Sequence, residues 1–425
     1  MLRLPSVGSL VIAALGLTLT LGCKNKDGAG TESAVVTLPG DSSASSPKRD
    51  HRSVAEKVVT RSAGVKQGDL VLIFGSDEDL PLMEDIAVEV RKQGASPLVS
   101  VGSNRLSRRM YDEVPAKFDS QTPAIMMQLA GVVDVIINTE AGEGRTLQGV
   151  DPKRLAAQGK AFAPVASLMR KRGVRTVALG NGLYPSAERA ELFGISREEL
   201  ADMMYGGIGA DYEALQSSGE QLRKQLAAGK EVRITNPNGT DFKVGIAGRP
   251  ITVNDGVISA EDQKKGGAAT SVWLPAGEVY LTPVPGTGEG TVVADQFFFQ
   301  GKPIEGLRLV FKAGKVTSMT AKDGLEPLQA AYDAAGPGKD VVGVIDIGIN
   351  PGIKSPERSP MHVWGKAGTV TVAVGGNTWA GGDNQVSFAL PVYSPGSTLT
   401  VDGKPLVQDG KLVAGEEVAN RKLKS

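Results

Sequence analysis

Short apolar runs that alternate with helical patterns constrain the fold of the first half of the chain most strongly. The run Leu70–Gly75 is rich in β-forming residues and closes on glycine, and Leu80–Lys92 follows it with apolar residues at helical spacing. Comparable apolar runs occur at 97–102, 132–138 and 175–180, and further helical patterns occur at 162–171 and 196–228. This alternation predicts an α/β domain built on a doubly wound parallel sheet.

The pattern changes close to Gly229. Two apolar runs flank the turn sequence Asn236–Gly239, which predicts a β-hairpin. Short strand patterns separated by Gly and Pro follow, interrupted by one helical pattern at 325–335. The sequence therefore predicts an α/β domain at 53–230 and a β-rich α+β domain at 231–425.

The first 52 residues predict export and a membrane anchor. Arg3 precedes an apolar run at 7–21 that ends in Leu-Gly-Cys23, and Cys23 is the only cysteine of the chain. This pattern is similar to a bacterial lipobox, so we expect residues 1–23 to be a lipoprotein signal peptide with Cys23 as the lipidated residue; a buried thiol after an ordinary signal peptide is the alternative. Residues 24–52 have the composition of a flexible tether. Lys24 resembles the residue found after the cysteine in outer-membrane lipoproteins, which implies an outer-membrane anchor facing the periplasm.

Three motifs in the second half carry a family resemblance. They are Asn236–Asp241, Leu274–Val279 (Leu-Pro-Ala-Gly-Glu-Val) and Gly368–Asn377, the last followed by Gly381 and Gly382. Together they resemble the thermophilic metallo-aminopeptidases typified by aminopeptidase T and aminopeptidase S. The resemblance implies peptide substrates, a homodimer and two divalent ions (Zn, Co or Mn) held by five side-chain positions.

The resemblance also allows each of the five ligand positions to be checked. The first Glu of the family is retained as Glu278, whereas Val344 holds the place of the second Glu and Thr371 that of the strand His. The final His-x-Asp pair falls on apolar residues and begins at Ala389 or Leu390. With four of five ligands replaced, we expect dinuclear metal catalysis to be lost and no cofactor to be bound. The chain would then act as a binding or assembly module for peptides.

In an alternative, the chain is an active aminopeptidase whose single metal site has been rebuilt from Glu278 together with Asp346, Asp383 and His362. Asp346 lies two residues after Val344 on the same strand face, while Asp383 and His362 flank the Thr371 strand in the sequence. For Asp383 plain turn chemistry is the favoured explanation, and for His362 a structural or solvated role is favoured. The only other histidine, His51, is expected to be solvated in the tether.

A different class of function would use the predicted parallel sheet. Small ligands bind at the carboxyl ends of strands in such sheets, and the corresponding loops are Ser76–Asp79, Gly102–Asn104, Glu140–Gly144 and Asn181–Tyr184. The 47 basic and 47 acidic residues balance, which argues against nucleic acid as a partner. If the family alignment holds, Thr371 and Val344 should converge on Glu278. That carboxylate should then have a hydrogen-bond donor or contact with solvent.

Overall fold

The computed structural model describes residues 51–139, 147, 149–299, 302–356 and 359–413. The predicted signal peptide, Cys23 and the tether up to residue 50 lie outside these ranges. The first helix within the described ranges starts at Arg52. His51 precedes that helix and packs against Tyr205, with 5.5 Å between the ring centroids. His51 is therefore half-buried, and its assignment as a solvated tether residue was wrong.

The helices and strands have the following bounds. The helices are α1 (Arg52–Lys57), α2 (Leu80–Lys92), α3 (Asn104–Glu113), α4 (Ala124–Val132), α5 (Pro152–Arg172), α6 (Ala187–Phe193), α7 (Arg197–Ile208), α8 (Tyr212–Ala228), α9 (Ala260–Lys265) and α10 (Glu326–Ala334). The strands are β1 (Leu70–Ser76), β2 (Ser96–Gly102), β3 (Val135–Thr139), β4 (Arg175–Leu179), β5 (Glu231–Asn236), β6 (Thr240–Gly245), β7 (Ile251–Asn254), β8 (Ser271–Leu274), β9 (Glu278–Leu281), β10 (Glu289–Phe299), β11 (Lys302–Lys312), β12 (Lys315–Thr320), β13 (Val342–Gly348), β14 (Val370–Gly375), β15 (Ala389–Ser394), β16 (Thr398–Val401), β17 (Lys404–Gln408) and β18 (Lys411–Leu412). None of the helices in the described ranges is both long and apolar enough to cross a bilayer.

The first half forms a parallel sheet with strand order β2-β1-β3-β4-β8. The order reverses between β1 and β3, as in one of the two common doubly wound arrangements. Both faces of the sheet are covered: Val71 and Ile73 of β1 belong to one buried core, and Leu72 between them belongs to a second core with helices α4 and α5. The predicted doubly wound sheet is confirmed.

The fifth strand of this sheet comes from beyond the predicted domain boundary at residue 230. Strand β8 pairs with β4 in parallel, with Thr176 opposite Ser271 and Leu179 opposite Leu274. The boundary therefore does not hold for the parallel sheet. The four residues of β8 were not predicted as a strand because their position depends on pairing with β4, almost a hundred residues earlier.

The second half forms two antiparallel sheets, which confirms the predicted β-rich part. One has eight strands in the order β12-β11-β10-β6-β5-β16-β17-β18, and the predicted hairpin at Asn236–Gly239 connects β5 and β6 in it. The other has five strands in the order β15-β14-β13-β9-β7 and is called the site sheet below. It contains the metal-strand motif on β14 and Glu278 on β9. The chain passes directly from β8 of the parallel sheet to β9 of the site sheet through Pro275–Gly277.

Candidate functional site

The predicted site residues lie together on one face of the site sheet. Residues directly opposite each other on antiparallel strands share a face, and so do residues two apart on one strand. Asp346 lies opposite Tyr280 on one side and Thr371 on the other. Glu278 lies opposite Gly348, two residues beyond Asp346, and therefore shares that face. Glu278, Asp346 and Thr371 define what we call the site face.

The same register places the remaining ligand positions. Val344 lies opposite Ala373, two residues beyond Thr371, and is on the site face. Ala389 lies opposite Gly375 on this face, whereas Leu390 lies opposite Val374 and belongs to the core on the other side. Of the two positions proposed for the start of the His-x-Asp pair, Ala389 is therefore the one on the site face. Neighbouring residues of a strand point to opposite faces of the sheet. The choice between Ala389 and Leu390 therefore required the strand register, which the sequence alone does not give.

Glu278 is held in place where two sequence motifs interlock. Gly277 has a φ of +116°, and a Cβ there would lie 2.5 Å from the Cβ of Asn350 and 3.0 Å from its backbone nitrogen, so only glycine fits. The backbone N–H of Ile349 donates to the carbonyl of Gly277 at 2.8 Å. The Asn350 side chain donates to the carbonyl of Ala276 at 2.5 Å and to that of Gly207 at 2.9 Å. Glu278 therefore begins strand β9 with a fixed backbone.

The carboxylate of Glu278 is fully buried and accepts a hydrogen bond from a side chain of the parallel sheet. Asn181, in the loop after β4, donates through Nδ2 to Oε1 of Glu278 at 3.0 Å and to the carbonyl of Pro275 at 2.9 Å. The φ of Asn181 is +42°, in the left-handed region that asparagine tolerates better than most residues. The sequence placed Asn181 in a separate small-ligand site. The structure places it beside Glu278.

The middle of the site face is buried and polar. Asp346 is 1% exposed and Thr371 is fully buried. Side chains directly opposite on antiparallel strands have Cβ atoms about 4.5–5.5 Å apart, so the Thr371 hydroxyl and the Asp346 carboxylate are close neighbours. Within the described part of the chain, the Thr371 hydroxyl has no hydrogen-bond partner. The face thus combines two carboxylates with a buried hydroxyl.

Aromatic rings cover this polar face, and the sequence analysis did not predict them. The Trp379 ring lies 5.3 Å from that of Tyr280, 6.0 Å from that of Trp273 and 6.0 Å from that of Trp364. Trp364 also contacts Tyr393 at 5.5 Å. These five residues are called the aromatic cluster, and they include all three tryptophans of the chain. The only sequence signal for this cluster was that the chain has just three tryptophans. In the structure, Val344 packs among these rings, at the position where the resemblance implies a carboxylate.

His362 lies at the edge of this region and Asp383 lies away from it. His362 lines a narrow cleft together with Asn181, Trp364 and Tyr393. Burial lowers the pKa of the His362 imidazole below its usual value, and the nearby Lys366 lowers it further. Asp383 is exposed on the turn before β15. In the described ranges, no group of three or more His, Cys, Asp and Glu side chains is arranged to hold a metal ion.

The residues of the site face do not fit a pair of metal ions. A dinuclear site needs several nitrogen and oxygen ligands for each ion and carboxylates that bridge the pair. The site face provides the carboxylates of Glu278 and Asp346 and the hydroxyl of Thr371, while Val344 and Ala389 provide no donor atom. The rebuilt site predicted from Glu278, Asp346, Asp383 and His362 is not assembled, because Asp383 is exposed and no metal-binding group of three or more such side chains forms among the described residues.

Two other loops predicted to bind a small ligand, Ser76–Asp79 and Gly102–Asn104, use polar side chains in helix caps. Ser76 and Asp79 form a capping box, and Asp79 also accepts a hydrogen bond of 2.5 Å from Thr139. Ser103 caps α3 by accepting from the N–H of Leu106 at 3.1 Å. The loop Glu140–Gly144 lies outside the described residues. Of the three loops that the structure describes, Asn181–Tyr184 lines the narrow cleft through Asn181 and Gly182, and Asn181 is the residue that contacts Glu278.

Comparison with known protein families identifies the family of the chain. The profile of the thermophilic metalloprotease (M29) family matches residues 48–336. The chain belongs to this family. The match ends before β13, so the strands that carry Asp346, Thr371 and Ala389 lie beyond the matched segment. Aminopeptidase PepS of Streptococcus thermophilus is 23% identical over 310 residues, which cover 65% of this chain and 71% of the relative.

Two solved structures that share this fold are named for different proteins, AmpT and a dioxygenase. Wild-type AmpT from Thermus thermophilus superposes with a TM-score of 0.66 at 19% identity, covering 85% of this chain and 98% of AmpT. The 2,5-dihydroxypyridine dioxygenase of Pseudomonas putida KT2440 superposes with a TM-score of 0.57 at 15% identity, covering 86% and 98%. These likenesses establish the fold. The activity has to be argued from the site residues, because one fold hosts different chemistries.

Proposed function

We propose that this M29 family member is a membrane-anchored peptide-binding protein that does not use a pair of metal ions. The observation that carries the proposal is the donor set of the site face. Glu278 keeps the family position and its supporting loop, while Val344, Thr371 and Ala389 occupy positions where the resemblance expects ligands. Two carboxylates and one hydroxyl are too few to hold two divalent ions and activate a bridging water.

The support for a peptide as the ligand comes from the relatives and from the preserved site. The related proteins include one named an aminopeptidase, whose substrates are peptides by definition of the name. The loop that positions Glu278 remains interlocked with Asn350, although the metal positions around it have changed. A cleft lined by Asn181, His362 and Tyr393 lies next to it. A retained scaffold with changed ligands favours binding without hydrolysis.

The proposed anchor depends on Cys23. Lipoprotein modification would attach three acyl chains to that cysteine, and two are enough for stable membrane attachment. The folded part would then lie close to the membrane on the tether, facing the periplasm. Labelling of cells with a radioactive fatty acid should mark the wild-type chain and leave Cys23→Ser unlabelled. A label that persists in Cys23→Ser would contradict lipidation at this residue.

The decisive experiment measures metal content, hydrolysis and binding on the same full-length preparation. The chain is equilibrated in turn with Zn, Co and Mn, washed, and analysed for bound metal by mass spectrometry. A mixture of short peptides is then added, amino-acid release is followed by liquid chromatography, and peptide binding is followed by calorimetry. We expect binding without release and less than one ion per chain. Close to two ions per chain together with released amino acids would instead establish the active aminopeptidase.

A further inference from the structure

Strand β2 forms one edge of the parallel sheet and lacks the protection that is usual at such an edge. Among the described residues it pairs with β1 alone. Proteins commonly place charged side chains on an exposed edge strand or cover it with another element. None of the seven residues Ser96–Gly102 is charged, and Leu98, Val99 and Val101 are 40%, 37% and 40% exposed. An apolar, uncharged edge of this kind pairs readily with a further strand.

The edge strand β12 of the eight-stranded sheet provides the contrast. It begins with Lys315, and Lys322 follows shortly after its end. Its exposed side chains Thr317, Ser318 and Thr320 are polar. Charged and polar residues at an edge discourage pairing with another chain. The exposed apolar side chains of β2 therefore indicate a surface that is covered in the assembled protein.

We propose that β2 is a self-association surface on which a second copy of this chain pairs antiparallel with β2 across a two-fold axis. The two five-stranded sheets would then join into one continuous sheet. This inference goes beyond peptide binding, because β2 lies outside the site face. In a two-fold dimer the same surface meets itself, so the surface must be complementary to its own copy. The backbone, the apolar side chains and the charges at this edge each meet that condition.

The backbone groups at the free edge fit this pairing. The N–H of Ser96 donates to the carbonyl of Asp69 at 2.9 Å, on the side of β1. Backbone groups of successive strand residues point to opposite sides, so those of Pro97, Val99 and Val101 point to the free edge. With Val99 at the two-fold axis, the two Val99 residues exchange N–H···O bonds, and each Val101 N–H donates to the Pro97 carbonyl of the other copy. This register satisfies both outward N–H groups and requires none from proline, which has no N–H.

Exposed apolar side chains lie on both faces of the proposed join. Val99 lies opposite Ile73, on the face that α2 covers, and Leu98 lies opposite Leu72 on the other face. On α2 itself, Val88 is 54% exposed. Pairing of two copies would remove apolar surface from water on both faces of the sheet, which stabilises the association.

Helix α2 carries charges that are complementary to those of its own copy. It contacts both β1 and β2, so a two-fold axis perpendicular to the sheet places the two α2 helices side by side and antiparallel. With strands about 4.8 Å apart, the helix axes come about 10 Å apart, a distance at which helices pack. The acids Glu84 and Asp85 lie in the first half of α2, and its last turn carries Arg91 and Lys92. The acidic half of each helix would therefore lie beside the basic end of the other.

A cysteine at the two-fold axis tests the strand pairing directly. Cys23→Ser removes the only cysteine of the chain, and Val99→Cys is introduced into that full-length protein. The Cα atoms of a hydrogen-bonded antiparallel pair lie about 5.5 Å apart, a distance that a disulfide spans. Oxidation with copper phenanthroline should therefore convert most of the chain to a covalent dimer on a non-reducing gel. Ser318→Cys, at an exposed position of the edge strand β12, is the matched control and should stay monomeric on the same gel.

Charge reversal on α2 tests the helix contact. One full-length variant combines Glu84→Lys with Asp85→Lys, and a second combines Arg91→Glu with Lys92→Glu. Each variant brings like charges together across the axis and should self-associate at least about tenfold more weakly in sedimentation equilibrium. Mixed in equal amounts, the two variants should associate with each other, and a folding defect would not be restored in this way. Lys92 also pairs with Glu89 of its own helix at 2.5 Å, so circular dichroism verifies the fold of each variant.

Light scattering of the full-length chain in detergent completes the test. We expect the wild-type chain to have at least the mass of a dimer, Val99→Lys to have half the wild-type mass, and Ser318→Lys to match the wild type. A monomeric wild type, or an unchanged mass in Val99→Lys, would refute the proposal and leave the edge of β2 to a partner of another kind. Absence of a cross-link in Val99→Cys, or charge-reversed variants that do not associate when mixed, would refute the two-fold pairing. None of these outcomes bears on peptide binding at the site face.

Discussion

Replacing Gly277 with alanine tests whether the interlock with Asn350 holds Glu278 in place. The new Cβ would lie 2.5 Å from the Cβ of Asn350, and the backbone would keep a φ of +116° that side chains rarely adopt. Backbone strain of this kind costs about 1–3 kcal/mol, and overpacking in a close-packed interior adds about 1–3 kcal/mol. We therefore expect Gly277→Ala to lower the free energy of unfolding by about 4 kcal/mol.

A second glycine separates the two contributions. Gly248 also has a positive φ, +69°, but no atom lies within 4 Å of where its Cβ would be. Gly248→Ala should thus cost about 1–2 kcal/mol from the backbone alone. Urea denaturation of wild type and both variants is followed by circular dichroism and by tryptophan fluorescence. Gly277→Ala should also alter the native fluorescence, because Glu278 lies on the face that the tryptophans cover. If both variants lose the same stability, the contact with Asn350 does not position Glu278 and the argument for a preserved site fails.

Three further predictions concern single side chains of the site. Asn181→Gly accepts the same φ but removes a donor to the buried Glu278, so urea denaturation should show a loss of about 1.5–3 kcal/mol; a loss below about 0.5 kcal/mol would contradict the role of this hydrogen bond. Thr371→Val replaces a buried hydroxyl by a methyl group and should raise the free energy of unfolding by about 1 kcal/mol, whereas a clear loss of stability would reveal a hydrogen-bond partner. The pKa of His362 lies below its usual value of 6.5 in the folded state because of burial and a neighbouring lysine. The unfolded chain therefore takes up the proton first, and stability should fall as the pH drops below about 6.5. In His362→Gln this part of the pH dependence should disappear from urea midpoints measured between pH 7.5 and 5, while His51→Gln, the control at the only other histidine, should retain it.

Sequence patterns predicted those helices and strands whose ends are set by neighbouring residues in the chain. The helix predicted at Leu80–Lys92 has those bounds in the structure. The run 132–138 was predicted as a strand throughout, yet Val132 ends helix α4 and β3 begins at Val135. An apolar run cannot distinguish the end of a buried helix from the start of a buried strand.

The site was predictable where a motif fixed the backbone and unpredictable where side chains met across the fold. The motif Leu274–Val279 predicted Glu278 as a site residue. In the structure, the strand register places Asp346 and Thr371 on the same face as Glu278. Asn181 reaches Glu278 from another sheet, 97 residues away in the sequence. Trp379 meets its aromatic neighbours through contacts of the same long-range kind. Pairings of this type depend on the packing of whole sheets, and no spacing in the sequence encodes them.

The passage of the chain from β8 to β9 has a consequence for dissecting the protein. A fragment ending at residue 230 would lack β8, so β4 would become an exposed edge of its parallel sheet. Exposed edge strands promote self-association. The complementary fragment would retain Glu278 but lose Asn181, the donor to its carboxylate. Neither fragment would contain both Glu278 and Asn181. The two halves should therefore be expressed and mutated as one unit, because Pro275–Gly277 joins a strand of the parallel sheet directly to a strand of the site sheet.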